Sequence, residues 1–139
     1  MLYRSAKQVR RGAVVLESAI VYPVVFLLIL GLIIGGLGVF RYQEVAWLAR
    51  EASRYACVHG TRYAKVTGKP AAAAVDIYNN AILPRVVCLD TTQLSYNVTW
   101  TPDNNPGSTV SVKVSYHWIP EAFLPAMNMS STSSDVVAY

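Results

Sequence analysis

The sequence predicts a membrane-anchored α+β protein with a long N-terminal transmembrane helix that extends beyond the membrane, a second helix and a small antiparallel β-sheet. Two observations lead to this prediction. Within the 139 residues, Ser18 to Phe40 form a run of 23 residues without a charged side chain. Near the end of the chain, two segments alternate apolar and polar residues with a period of two. The first pattern predicts a spanning helix, and the second predicts a β-hairpin.

The uncharged run is long enough to be an anchor. As a helix it measures about 35 Å, against a hydrocarbon core of about 30 Å. A cleaved secretory signal has a shorter apolar region that ends in small residues, whereas this run ends at Phe40, Arg41 and Tyr42. Pro23 lies inside the run, removes one backbone donor and predicts a kink in the helix.

The formal net charge of +4 reflects where the basic residues lie. From Arg41 to Tyr139 there are eight basic and seven acidic residues, so that part of the chain is nearly neutral. The excess lies before the apolar run and predicts a cytoplasmic N-terminus and an exported C-terminal domain, not a nucleic-acid surface. The basic residues before the run are Arg4, Lys7, Arg10 and Arg11.

The rest of the chain is long enough for one small domain. Helical spacing of apolar residues continues past the membrane to Gly60, and a second helix is predicted over 71–83, ended by Pro84. Alternation over 94–100 and 110–118, with a turn at 102–107, predicts the hairpin, and 135–139 can add a third strand. The predicted division is a basic leader (1–12), the transmembrane helix with its extension (13–60) and an α+β domain (61–139).

Cys57 and Cys88 are the two cysteines of the chain. In so small an exported domain they predict a disulfide, and the alternative is two buried free thiols. No metal site is expected, because His59 and His117 lie in separate elements and no CxxC or HxxxH spacing occurs. No cofactor is expected either.

Gly31 and Gly35 form a GxxxG pattern in the second half of the apolar run. Such a pattern predicts close packing with another membrane helix, although glycine is also common in spanning helices without that role. Catalysis is not expected, since no nucleophile has a base and an orienting group at a suitable spacing.

The residues around Gly12 carry a family resemblance. Two arginines precede Gly12, Ala13 opens the apolar stretch, and Glu17 is the fifth residue after the glycine. This arrangement resembles the class III signal of type IV pilin-like proteins, in which a prepilin peptidase cuts after the glycine. Pro23, six residues after the glutamate, and the alanine-rich segment 48–56 make residues 10–60 similar to the TadE-like pseudopilins of tight-adherence (Tad) pilus systems. Ser18 departs from the aromatic residue that usually follows the glutamate in that family.

The resemblance implies a minor pseudopilin that takes part in assembling an adhesive Tad pilus. It implies cleavage between Gly12 and Ala13, and an assembly role for Glu17. It further implies a single-pass protein of the bacterial inner membrane with a periplasmic C-terminal domain. The implied partners are the peptidase, other pilin-like subunits and the inner-membrane assembly platform with its motor.

Three alternatives remain at the level of sequence. The chain can be an uncleaved single-pass periplasmic binding module, or a pseudopilus component like those of type II secretion, which the early Pro23 disfavours. Glu17 can also lie at the cytoplasmic interface and reach headgroups or the arginines. Against that last interpretation, an acid within a span costs about 2–3 kcal/mol on insertion scales, so that such a residue usually has a function.

Overall fold

The computed structural model describes residues 5–120 and 125–138, with side chains from Gly12 onward. The chain forms two compact units, residues 1–37 and residues 38–139. The predicted division at residues 12 and 60 stays a prediction.

The first helix, α1, runs without interruption from Ser5 to Val58. In the first unit its large apolar side chains are exposed on every side, and its most apolar stretch of 18 residues is 0 % buried. By length and composition this is the one helix of the described chain that can cross a membrane. Pro23 lies inside the continuous helix, and the kink predicted there stays a prediction.

In the second unit, α1 buries a single face. The buried residues follow the 3.6-residue period and become small towards the end of the helix, which lets the sheet approach closely. The helical spacing predicted to continue towards Gly60 is therefore confirmed, and we call this part of α1, residues 41–58, the exit helix. Its buried apolar residues are Val45, Leu48, Ala49, Ala52 and Ala56.

Four short helical segments follow between residues 61 and 85, and the last three begin within the stretch where the sequence predicted one helix, 71–83. Helix α2 spans Thr61–Thr67 and ends at Gly68, whose φ of 72° is left-handed. Helix α3 spans only Ala74–Ile77, and the chain then widens into a π turn (Tyr78–Ile82) and narrows into a 3₁₀ turn (Leu83–Arg85). Pro84 has no N–H to donate to an α-helical ladder, so the helical path changes type before it ends.

The sheet is antiparallel, with strand order β1-β2-β3. The strands are β1 (Leu94–Thr101), β2 (Thr109–Trp118) and β3 (Met127–Val136), which confirms the hairpin. In the central strand every second residue is buried, while the intervening residues form a polar outer face. These buried residues of β2 are Val110, Val112, Val114, Tyr116 and Trp118.

The third strand begins earlier than the segment 135–139 that the sequence indicated. Its inward positions include Ser131 and Ser133, which are half-buried, so no apolar alternation marks the strand. The Oγ atoms of Ser133 and the buried Ser53 of α1 lie 3.0 Å apart and hydrogen-bond, so small side chains connect β3 to α1. Within the described residues β3 pairs with β2 alone, and its other edge has no strand partner.

The β1–β2 turn is stabilised by Asp103. Its carboxylate accepts hydrogen bonds from the Ser108 hydroxyl (2.6 Å) and from the backbone N–H of Asn105 (3.0 Å). The Ser108 and Asn105 hydrogen bonds lower the pKa of Asp103. Thr61 at the start of α2 donates its backbone N–H to the Asn104 carbonyl (3.1 Å), which ties this turn to the helices.

The disulfide predicted between Cys57 and Cys88 is wrong, since both cysteines are free thiols. The Cys57 thiol donates to the Val136 carbonyl at 2.7 Å, whereas the Cys88 backbone N–H donates to the Glu44 carboxylate at 3.1 Å. Glu44 precedes Cys57 by 13 residues in the same helix, a rise of about 20 Å. A disulfide requires Cα atoms within about 7 Å, so these cysteines lie too far apart.

Candidate functional site

The residues of the predicted processing and assembly site lie together on the first unit of α1. Gly12, Ala13 and Glu17 are all exposed, and an added side-chain carbon at Gly12 would meet no atom within 4 Å. Among the described residues, no side chain pairs with the Glu17 carboxylate. The helix therefore presents a carboxylate on an otherwise apolar, exposed surface, and such a carboxylate is costly in a membrane unless it has a partner.

Gly31 and Gly35 lie further along the same exposed stretch. Neither has an atom within 4 Å of the position that a Cβ would take. The two glycines leave a shallow, open strip of backbone, a surface on which a second helix can pack closely. Whether they contact one stays a prediction.

In the second unit, an aromatic ring packs against a glycine of α1. A Cβ on Gly38 would lie 2.7 Å from Cζ3 of Trp118, so only glycine allows this close approach. Arg41, one turn later, places its guanidinium carbon 5.4 Å from the centre of the Trp118 ring, within cation–π range. We call Gly38, Arg41 and Trp118 the Trp118 cluster. It fixes the end of β2 to α1.

A buried carboxylate fixes a second segment to α1. Glu44 accepts hydrogen bonds at Oε1 from the backbone N–H groups of Val87 (2.8 Å) and Cys88 (3.1 Å). Its other oxygen, Oε2, is buried and makes no hydrogen bond within the part of the chain that the structure describes. Because the contacts involve backbone groups, they hold the segment before β1 while leaving the Val87 side chain outside, 78 % exposed.

Two grooves of mixed polarity border the far part of α1. One, of about 460 Å³, lies between α1 and β3 and contains Glu51, which forms weak ion pairs with Arg54 (3.8 Å) and Arg85 (3.9 Å). The other, of about 250 Å³, contains Tyr55 stacked on His59, with ring centroids 4.0 Å apart. Burial, with a smaller effect of Asp76, raises the pKa of Tyr55. Both grooves are open to solvent.

No cluster of three or more potential metal ligands occurs among the described residues. His59 and His117 belong to different elements, as the sequence indicated: His59 follows α1, and His117 lies on the outer face of β2, with Nδ1 2.6 Å from the Asn128 side-chain oxygen. The expectation that the protein has no metal, cofactor or catalytic activity stays a prediction.

Sequence reasoning missed two residues that organise the second unit. It gave Glu44 no role, although Glu44 precedes the buried Leu48 and Ala52 by four and eight residues and so shares their face. That spacing was the available signal. Sequence reasoning gave Gly38 no role either, and the partner of Gly38, Trp118, lies 80 residues later and gave no local signal.

Comparison with known proteins gives one family. A family model described as TadE-like protein matches residues 12–54, which lie within the segment 10–60 that carried the resemblance in the sequence. The recognition of a TadE-like chain is thereby confirmed over this segment, and the family indicates a protein associated with Tad pili. No curated protein and no solved structure matches the chain.

Proposed function

We propose that this TadE-like chain is a minor pseudopilin, anchored in the bacterial inner membrane, that takes part in assembling an adhesive Tad-type pilus. In this proposal a prepilin peptidase removes the basic leader after Gly12. The C-terminal domain then lies in the periplasm. The role needs no catalysis by the chain itself.

One observation carries the proposal. Glu17 is a carboxylate on an exposed apolar helix, five residues after an exposed glycine and with no partner among the described residues. Cleavage after Gly12 would create an α-amino group on Ala13, one helical turn from Glu17. In a low-dielectric surrounding, opposite charges attract far more strongly than in water, while an unpaired charge is costly. The carboxylate therefore favours a partner such as that amine or the amine of a neighbouring subunit.

The proposed partners follow from the same surface. The peptidase would bind the leader and the start of the apolar helix. Other pilin-like subunits would pack against the exposed helix, with Gly31 and Gly35 allowing close approach. The inner-membrane platform and its motor would receive the processed subunit.

The first experiment tests processing. The change Gly12→Leu should leave a full-length precursor in the membrane, because a bulky residue replaces the small one at the cut. The mass of the wild-type protein from piliated cells should correspond to a chain that starts at Ala13. An uncut wild-type chain in cells with an active peptidase would refute the proposed maturation and favour the uncleaved binding module.

The second experiment tests Glu17. Glu17→Gln keeps the shape and removes the charge, so it should insert, be cut and keep a folded C-terminal domain, yet abolish piliation. Ser18→Ala is the matched control on the neighbouring residue and should leave piliation intact. Normal pili from Glu17→Gln would show that the carboxylate has no role in assembly. A secretion defect with normal pili would favour the type II secretion-like alternative.

A further inference from the structure

We infer that the smaller groove beside the end of α1 binds one ring of a neutral saccharide. The groove has a volume of about 250 Å³ and lies entirely within the second unit. We call it the aromatic groove, because its lining combines aromatic rings with charged and amide side chains. The aromatic members are Tyr55, His59 and Tyr63, and the charged and amide members are Lys69, Asp76 and Asn80. The inference adds a ligand to the proposed function and does not depend on it.

The three rings of the groove form a row that is fixed by local contacts. Tyr55 stacks on His59, with ring centroids 4.0 Å apart and planes 15° apart. Tyr63 follows at 4.6 Å from His59, tilted by 57°. Nδ1 of His59 lies 2.8 Å from the Tyr55 carbonyl oxygen, which can only accept, so Nδ1 carries the proton and its hydrogen bond holds the ring. All three residues are half-buried, so the row is fixed and still reached by solvent.

Backbone hydrogen bonds hold the rest of the lining against these rings. Ala72 donates its N–H to the His59 carbonyl at 2.8 Å, which returns the loop after α2 to the row of rings. Asp76 accepts the Ala73 N–H at Oδ2 (3.0 Å), and the Asn80 side-chain amide donates to the Asp76 carbonyl (2.8 Å). The groove is therefore formed without a ligand, and binding does not have to order it.

The polar side chains of the groove keep hydrogen-bonding capacity for a ligand. A carboxylate has about four acceptor sites, and the Ala73 N–H occupies one of those of Asp76. The Lys69 ammonium carries three donors, and the Asn80 amide provides both a donor and an acceptor. Donors and acceptors therefore lie in one groove. This combination suits hydroxyl groups, each of which donates and accepts.

A sugar ring matches the groove better than the other common ligand classes. It has an apolar C–H face that packs on an aromatic ring, and a rim of hydroxyl groups. The formal charges of Lys69 and Asp76 cancel, which disfavours a ligand with a net charge. A lipid chain would bury these polar groups without partners. Drug-sized ligands occupy about 300–1,000 Å³, so this smaller groove holds one ring while the rest of a glycan stays in solvent.

The test titrates the full chain with trisaccharides in micelles of deuterated dodecylphosphocholine, because that detergent has no sugar headgroup. Saturation-transfer difference NMR detects the sugar protons that contact the protein. The neutral probes are maltotriose, a plain hexose chain, and chitotriose, a chain of N-acetylated amino sugars. At least one of them should show saturation transfer that reaches a plateau, whereas the charged trigalacturonate should show none. The neutral probe that binds more tightly distinguishes a hexose glycan from an amino-sugar glycan as the natural source.

Two variants test whether the sugar binds in the aromatic groove. Tyr63→Ala should weaken binding about tenfold, because the sugar loses an aromatic contact. That variant should stay folded, since no residue of α2 is buried. Lys69→Ala changes an exposed residue and should also weaken binding, through the loss of a charged donor. Near-ultraviolet circular dichroism checks that both variants are folded.

Tyr96→Ala is the matched control. Tyr96 stacks on Tyr78 with ring centroids 4.6 Å apart, but neither residue lines the aromatic groove, so this variant should bind the sugar as the wild type does. An equal loss in Tyr96→Ala would place the sugar elsewhere and overturn the inference. Undiminished binding in both Tyr63→Ala and Lys69→Ala, or no binding of either neutral probe, would overturn it too. The purified chain is tested without pili, so none of these results depends on processing or assembly.

Discussion

The two parts of α1 bury their side chains in opposite ways. In the first unit, large residues such as Leu28 and Phe26 are exposed on all sides, whereas in the second unit Val45 and Leu48 are fully buried on one face. Both parts are regular helix. The second part obtains its apolar surroundings from its own domain, whereas the described residues supply none for the first part. The following predictions test that contrast through the stability of the second unit.

The largest effect is expected from the Trp118 ring, which is buried against Gly38. Trp118→Ala should destabilise the second unit by about 3–5 kcal/mol, because it removes a large buried side chain and leaves a cavity. Leu28→Ala, at a position 68 % exposed in the first unit, should leave that stability unchanged. The stability of the second unit in both variants is measured by urea unfolding in detergent micelles, monitored through hydrogen exchange of the β2 amides. Equal stabilities would contradict the division of roles along α1.

The two types of glycine in α1 give a sharper comparison. Gly38→Ala should destabilise the second unit by about 1–3 kcal/mol, since the added carbon would overlap the Trp118 ring. Gly35→Ala is the matched control, because the same carbon meets nothing there. Thermal unfolding of the two variants measures the difference. A similar loss in both would show that helix flexibility, and not the ring contact, is what the glycines provide.

The two glutamates of the exit helix are expected to differ as well. Glu44→Ala should cost about 1–3 kcal/mol, because the Val87 and Cys88 amides lose a buried acceptor. Glu51→Ala removes only long, partly exposed ion pairs and should cost about 0–1 kcal/mol. Chemical denaturation compares them. If Glu51→Ala proved the more harmful, the assignment of Glu44 as the residue that holds the segment before β1 would be wrong.

The smallest effect is expected on the loss of stability at low pH. Hydrogen bonds from Ser108 and Asn105 lower the pKa of Asp103, so its ionised form is favoured in the folded state. The resulting stability is fully present above the ordinary aspartate pKa and is lost as the pH falls through the lowered value. Unfolding midpoints measured between about pH 5 and pH 3 should therefore fall, and Asp103→Asn should weaken that dependence. Hydrogen bonds from Thr92 lower the pKa of Asp90, so Asp90 accounts for part of the pH dependence that remains in Asp103→Asn. An unchanged pH dependence in Asp103→Asn would exclude this role.

The sequence predicted those parts of the fold that have a local pattern. The uncharged run is apolar throughout, whereas the exit helix and the hairpin repeat apolar residues at a fixed spacing, and each is present. The third strand was misplaced because Ser131 and Ser133 take inward positions that apolar residues usually occupy. Those serines are accepted because Ser53 on α1 is equally small and hydrogen-bonds to the strand.

Contacts between distant segments could not be predicted in this way. The disulfide was inferred from the number of cysteines, whereas the distance between them depends on where the segment before β1 returns along α1. Glu44 determines that level, and its partners are backbone amides, which no sequence pattern identifies. For the same reason the sequence can propose a candidate site only within one helix, around Gly12 and Glu17, and that site stays a prediction.

The edge of β3 that has no strand partner among the described residues affects how copies of the chain associate with one another. An unpaired strand edge is a template on which another chain can form hydrogen bonds, and apolar side chains make that association durable. From Ser130 to Ser134 the side chains of β3 are all hydroxyl-bearing. Two such edges that meet would bury little apolar area, so their association would be weak and would dissociate. We therefore expect that many copies can lie close together in a membrane without stable association between their β3 edges.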